Sequence, residues 1–273
     1  MNHTFVICAY KESPYLEECI VSLKQQTKKS EILVATSTPS AYIEELCSKY
    51  HLPCYVRDGK PGIGADWNYA LSVAKTEYVT IAHQDDKYEA VFWERKEAYI
   101  EEAERLRQCP LIIFSDYREY IGQKADAYRT NLKIKRILLR PLIRKQAQNR
   151  CAPKRAVLRF GNAICCPSVT YNMGSIWRLL EQQGRHALFG TAMRSNLDWE
   201  AWEWLSRQKG AFVYIPELLM QHRIHEASET SAVIHEHQRK QEDYFMFCKF
   251  WPKWIAKILS GVYIASEKGN TVS

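Results

Sequence analysis

Across residues 1–86 the chain switches repeatedly between short β-rich runs and apolar residues at helical spacing, which restricts it to folds that alternate strand and helix. Thr4–Ala9 (TFVICA) reads as a buried strand, followed by turn chemistry at Lys11–Pro14. Leu16, Cys19, Ile20 and Leu23 then recur on one helical face, with Ser13 placed to cap and Pro14 at the first helical position. Glu31–Thr36 predicts a second strand, Pro39–Tyr50 a helix and Cys54–Arg57 a third strand. Gly59, Pro61, Gly62 and Gly64 mark a loop opening into a helix over Asp66–Ala74. Glu77–Ala82 predicts a fourth strand, which ends at His83-Gln84-Asp85-Asp86. Such an order argues for an α/β fold, a mainly parallel sheet with helices on both faces. Further on, the pattern predicts a helix near Ala90–Arg107, a strand at Leu111–Ser115, a helix at Asp198–Gln208, a strand at Phe212–Ile215 and helix from about Val233.

Composition excludes several classes. The chain is 46% hydrophobic and 25% charged, an ordinary globular balance. The opening MNHTFVICAYKES has too short an apolar run for a signal peptide, and no stretch reaches the roughly 18 apolar residues of a spanning helix, so an intracellular protein is expected. Nine cysteines, an odd count without a C-x-x-C pair, read as reduced thiols. His222 and His225 are spaced H-x-x-H but lack the companion ligands of a zinc site. The net charge of +7 is concentrated between Asp126 and Glu181, a span without a single acid. It carries Arg129, Lys133, Lys135, Arg136, Arg140, Arg144, Lys145, Arg150, Lys154, Arg155 and Arg159. A field of one sign attracts phosphates, nucleic acid or an acidic membrane, and no nucleic-acid-binding signature accompanies it.

In an open parallel sheet, ligands bind beyond the carboxyl ends of the strands. Tyr10–Ser13, Thr36–Ser40 and His83–Lys87 should lie there. Adjacent carboxylates such as Asp85 and Asp86 repel and cost desolvation, so a site that keeps them usually supplies a cation. Hard oxygen ligands favour Mg²⁺ or Mn²⁺. The plainer alternative is an Asp-Asp turn capping the next helix.

EYVTIAHQDD resembles the D-x-D region of the inverting family 2 glycosyltransferases, which have the GT-A fold. VICAYKESPYLEECIVSLKQQT is similar to that family's opening strand, turn and helix, and GIGADWNYALSVAKTEYVTIAHQDD to its middle stretch. GNAICCPSV, LDWEAW and HRIHEASETS resemble its later segments, so the likeness runs in order from Thr4 to Ser231. It implies a nucleotide-binding half over 1–115, an acceptor half over 116–231 and a helical, amphipathic extension over 232–273. It also implies transfer of a sugar from a nucleotide-sugar donor, with UDP favoured, to an acceptor hydroxyl. Ala9, Tyr10, Glu12, Asp58, Gly62, Asn68 and Asp85 would contact the donor. Asp85, Asp86 and His225 would serve the Mn²⁺ or Mg²⁺ ion. Asp198 would be the general base, although it could simply cap its helix, and Glu200 competes for the role. The chain departs from the family in two places: Thr36-Ser37-Thr38 stands where an acid often contacts the base, and His83 where an aspartate often opens the motif. Those departures keep open a degenerate glycan- or partner-binding protein. A sugar-phosphate nucleotidyltransferase would need a glycine-rich, basic loop after the first strand, which is missing.

Such transferases commonly build bacterial surface polysaccharide on lipid-linked acceptors, which implies a cytoplasmic enzyme at the inner face of the membrane. The basic segment suits an anionic membrane surface. The tail, with Phe247, Phe250, Trp251, Trp254 and Ile255 among lysines, could lie in the interface or pack on the core.

Overall fold

The computed structural model describes residues 1–121, 124–224 and 236–268, the side chains of 236–237 and 264–268 excepted. The first half is β1 (His3–Ala9), α1 (Leu16–Lys24), β2 (Glu31–Thr36), α2 (Ala41–Tyr50), β3 (Cys54–Val56), α3 (Ile63–Val73) and β4 (Tyr78–His83). Then come β5 (Lys87–Tyr88), α4 (Phe92–Arg105), β6 (Pro110–Ile121), β7 (Lys124–Asp126) and α5 (Thr130–Leu139). The remainder is α6 (Cys151–Ala156), β8 (Thr170–Asn172), α7 (Met173–Gln182), α8 (Leu197–Ser206), β9 (Ala211–Ile224), α9 (Glu236–Cys248) and α10 (Lys253–Lys268).

All these strands join one sheet in the order β3-β2-β1-β4-β8-β6-β9-β5, with β7 paired on β6. The first four are parallel, as the alternation predicts. β8 runs antiparallel to β4 and β6, while β6 and β9 are parallel. Period-2 alternation along β1 divides the core. Phe5, Ile7 and Ala9 join α1, α2 and α4 on one face; Val6 joins α3, α7, α8, Met246 and Phe247 of α9, and Ala256 of α10 on the other.

Several boundaries differ from the sequence-based expectation. Tyr15, not Ser13, stands at the cap position of α1, without a side-chain cap bond; the Ser13 hydroxyl donates to Asp85 at 2.5 Å and accepts from the Tyr15 N–H at 3.3 Å. α3 starts at Ile63, ahead of the expected Asp66, with Gly62 as its cap residue. β6 and β9 run 12 and 14 residues, well past Ser115 and Ile215. Their register shifts between Ser115 and Tyr117; beyond it Asp116, Arg118 and Glu119 interrupt the apolar run of β6, while in β9 Pro216 and Glu217 break the run before Leu218–Met220 resume it. A bulge re-aims side chains, so the strands continue while the hydrophobic signal stops.

The basic segment is not one solvated face. Arg129 pairs with Glu119, Arg136 with Asp116, Lys145 with Glu102 and Arg155 with Glu203. Buried Lys154 donates to the carbonyls of Gln208 and Gly210 at 2.6 and 2.7 Å. Its acids are missing locally because they arrive from α4, α8 and β6. Lys133, Arg140, Arg144, Arg150 and Arg159 remain exposed.

The tail needs a similar correction. Phe247 is 1% exposed and packs edge-on against Trp199 at 5.2 Å. Phe250 lies under the Arg155 guanidinium and Trp251 against Phe160. Of the five expected interfacial residues only Trp254 is exposed; Ile258 and Val262 continue its stripe at i+4 and i+8. Among the described residues, no helix is long and apolar enough to cross a membrane.

Candidate active site

The three loops expected at the carboxyl ends of β1, β2 and β4 are tied together there. The Gln84 side-chain amide clasps the Tyr10 backbone, donating to its carbonyl and accepting from its N–H, each at 2.9 Å. Tyr10 itself is 40% exposed, a ring presented at the mouth of the site. Lys11 turns the chain with φ +54 and donates its N–H to Thr38 Oγ1 at 2.6 Å. Ala9 is buried at the strand end, and Glu12 and Asp58 are exposed. Asp66 gathers the Arg57 guanidinium at 2.7 Å, and the Ser37 hydroxyl and the Gly62 N–H at 3.1 Å each. Asn68 uses both ends of its amide on the Phe189 backbone, at 2.8 and 3.0 Å, and so anchors the loop that leads to α8.

Asp86 is 1% exposed. Its Oδ1 accepts from the Arg223 N–H and meets His222 Nδ1, both at 2.9 Å, while its Oδ2 is buried with no hydrogen-bond partner among the described residues. A buried carboxylate oxygen left without a donor is costly, and a cation would satisfy it. Burial works against the His222 cation, but the charge of Asp86 and its hydrogen bond outweigh that and raise the pKa. His83, stacked on Trp67 at 5.4 Å, is pushed the other way by burial. The Arg223 guanidinium lies over the rings of Tyr15 and Tyr120, donates to the Asp85 carbonyl at 3.0 Å and pairs with Glu18. The end of β9 thus locks the Asp85–Asp86 turn in place.

The donor set fits a hard divalent ion: two adjacent carboxylates, one with an orphaned oxygen. Mg²⁺ and Mn²⁺ are commonly held in this way. No cluster of three or more His, Cys, Asp or Glu side chains able to hold a metal occurs among the described residues. His225 lies outside the described residues.

Asp198 stands in the first turn of α8. Asn162 donates to its Oδ2 at 2.6 Å and the Trp199 N–H to its Oδ1 at 2.7 Å. Burial pushes its pKa up to about 6, against the pull of those donors. The nearby charges of Asp86 and Asp198 add to burial in pushing the Cys165 thiol pKa up. Glu200 instead lies beside Gly190 and 3.6 Å from Lys249 Nζ.

Several members of this arrangement went unmarked in the sequence. Ser13 reads in the sequence as a helix cap and His222 as half of an H-x-x-H pair, while Asn162 and Arg223 fall inside GNAICCPSV and HRIHEASETS without a role of their own. Gly64 was grouped with its loop, yet it is the glycine that packing demands: a Cβ there would meet the Gly190 carbonyl at 2.4 Å. Gly62 has nothing within 4 Å of that position.

Comparison with known proteins follows the geometry. The sequence model for glycosyl transferase family 2 matches residues 4–163, which take in the first four strands and the Asp85–Asp86 turn but not Asp198. S. aureus TarS 1-349 in complex with UDP-GlcNAc superposes with a TM-score of 0.65 at 14% identity, over 95% of this chain and 70% of that one. Mannosyltransferase PcManGT from Pyrobaculum calidifontis, in complex with GDP-Man and Mn²⁺, gives 0.58 at 11% identity, over 100% of this chain and 76% of that one. At such identities the likeness speaks for the fold alone. No curated protein sequence matches the chain.

Proposed function

The chain belongs to glycosyl transferase family 2 and has the GT-A fold, and from that premise we propose that it is an inverting, metal-dependent transferase taking a sugar from a nucleotide-diphospho-sugar, with UDP favoured. The observation that carries the metal and donor assignment is the buried, unpartnered Oδ2 of Asp86 at the end of β4. Asp86 and Asp85 would hold Mn²⁺ or Mg²⁺. When bound, the ion neutralises charge on the departing nucleoside diphosphate.

The protein's own groups do the rest. Tyr10 offers its exposed ring to the nucleobase, with its backbone fixed by Gln84. Ala9, Glu12, Asp58, Gly62 and Asn68 surround the donor or hold its loops. His222 and the Arg223 N–H keep Asp86 in one orientation. Asp198 takes the proton from the acceptor hydroxyl as that oxygen attacks the anomeric carbon. One base with in-line attack inverts that carbon, and no covalent sugar–enzyme bond forms. Asn162 is a positioning residue that holds the carboxylate.

The acceptor we infer is a lipid-linked saccharide in bacterial surface polysaccharide synthesis, met at the inner face of the membrane. The support is the exposed stripe of Trp254, Ile258 and Val262 on α10, flanked by exposed Lys253 and Lys257. On this assignment residues 1–231 form the catalytic domain and 232–273 its membrane-facing extension.

Calorimetric titration of UDP with Mn²⁺, and again with EDTA, tests the donor site. Wild type should bind only with the metal, and Asp86→Ala should fall to the EDTA level. Metal-independent binding that survives Asp86→Ala would remove the metal assignment. Silence towards UDP, GDP and dTDP alike would remove the transferase assignment.

A further inference from the structure

Helix α5 sets one cation of the basic segment against Tyr117 of β6. The Lys135 ammonium donates to the Tyr117 hydroxyl at 2.9 Å and lies 5.5 Å from the centre of that ring. An ammonium carries three N–H donors, yet among the described residues Tyr117 is the only hydrogen-bond acceptor Lys135 reaches, and no carboxylate is within ion-pair distance of it. Its neighbours on the same segment are treated differently. Arg129, Arg136 and Arg155 each meet a carboxylate, and Lys154 is closed off by two carbonyls.

The position matters as much as the missing counter-ion. Lys135 is within electrostatic reach of Asp198, Cys165 and His222. Tyr117, which holds it, has its ring 6.1 Å from that of His222, whose Nδ1 bonds Asp86. Lys135 and Tyr117 also line one small cavity with Ser115, Asp116 and Ala163. The ammonium is therefore linked through Tyr117 and His222 to Asp86, only partly buried, with donors left over. The two N–H donors that Tyr117 leaves over are available to an incoming anion.

We propose that Lys135 is a phosphate-binding residue of the reaction centre, its spare N–H groups taking an oxyanion of the donor diphosphate or of a phosphate carried by the acceptor. This rests on the transferase assignment. Charge-assisted hydrogen bonds of this kind are worth roughly 10- to 100-fold in affinity. The planar guanidinium of arginine can still reach an oxyanion, whereas glutamine keeps most of the length without the charge.

The test is calorimetry on the full chain, first with UDP and Mn²⁺, then with glycerol 3-phosphate added to the UDP–Mn²⁺ complex. Wild type, Lys135→Gln, Lys135→Arg and Tyr117→Phe are compared, with thermal melting as the folding control. If the donor phosphate is the ligand, Lys135→Gln weakens UDP roughly 10- to 100-fold and Lys135→Arg restores most of it. If the acceptor phosphate is the ligand, UDP binds normally and glycerol 3-phosphate loses affinity by a similar factor. Tyr117→Phe breaks the same internal hydrogen bond but keeps the ammonium. A purely structural Lys135 would make Tyr117→Phe copy Lys135→Gln, and that result overturns the proposal. So does wild-type-like binding of both ligands by folded Lys135→Gln while Asp86→Ala has lost UDP. A wild type that binds no nucleotide with Mn²⁺ overturns the transferase assignment, and this inference with it.

Discussion

Asp198 is held from two sides, by Asn162 on Oδ2 and by the Trp199 N–H on Oδ1, in surroundings dry enough to lift its pKa to about 6. A general base works only when ionised, and burial disfavours the ion. Activity should therefore be present above pH 6 and fall as pH drops through that value, about tenfold per unit well below it. The profile of kcat/KM against pH, taken between 5 and 8, checks this; a flat acid side would remove Asp198 from the proton transfer. Asp198→Asn should lower transfer by about 10² to 10⁴ while leaving UDP binding intact. Asn162→Ala removes a donor to the charged form, so the acid limb should move to higher pH. A role limited to packing would lower activity equally at every pH and leave the limb in place. Of the residues involved, Asp85, Asp86 and Asp198 were legible in the sequence because each stands in a local string. Asn162, His222 and Lys135 were not singled out for these roles, since their meaning lies in contacts across 18 positions of chain for Lys135 and Tyr117, 36 for Asn162 and Asp198, and 136 for His222 and Asp86.

At the level of elements, α3 and the loop before α8 meet at a pair of glycines. A Cβ on Gly64 would lie 2.4 Å from the Gly190 carbonyl, and one on Gly190 would lie 2.7 Å from Glu200 Oε2. Asn68, one turn along α3, clasps Phe189 in the same loop. Helix α3 is thereby fixed to the segment that leads to Asp198. Gly64→Ala should cost about 1–3 kcal/mol through overpacking against backbone, read as a lower midpoint in urea. Gly62→Ala is the contrast: its φ of −178 is extended and open space surrounds it, so stability should change by less than about 0.5 kcal/mol. Equal effects at the two positions would mean that the contact with Gly190 is not what constrains α3. The strands and helices of the first half could be read from periodicity because each has one buried face. β6 and β9 could not be followed to their ends. Beyond Ser115 the strand pairs through its backbone while its side chains, Asp116, Arg118 and Glu119 among them, serve ion pairs. Short β8 and the helices of the basic segment left no periodic signal long enough to use.

Taken whole, the molecule divides its positive charge between two duties. Arg129, Arg136, Lys145 and Arg155 join α5, α6 and neighbouring segments to the acids of the catalytic core, so net charge alone overstates what is available to a partner. The exposed share falls near apolar surface: Lys253 and Lys257 beside Trp254, Ile258 and Val262 on α10, and Lys133 and Arg140 beside Ile134 and Ile137 on α5. Helix α10 packs beside the segment that holds Asp198. Tyr263 of α10 closes on Gly161, next to the Asn162 that holds Asp198, and is within electrostatic reach of Lys135. Nearby basic residues contribute about 1 kcal/mol each at an anionic surface, and burying a large apolar side chain adds about 1.5–3 kcal/mol. Sedimentation with vesicles about one-third anionic should therefore capture the protein at low salt, and neutral vesicles should not. Trp254→Ala with Ile258→Ser should weaken capture by at least about tenfold, and 0.5 M salt should also release it, because the exposed charges are screened. The double variant should keep its affinity for UDP, since the stripe faces away from the core that packs Phe247 and Ala256. Equal capture by neutral and anionic vesicles, or a variant that still sediments, would leave the stripe to another partner and the acceptor to be sought in water.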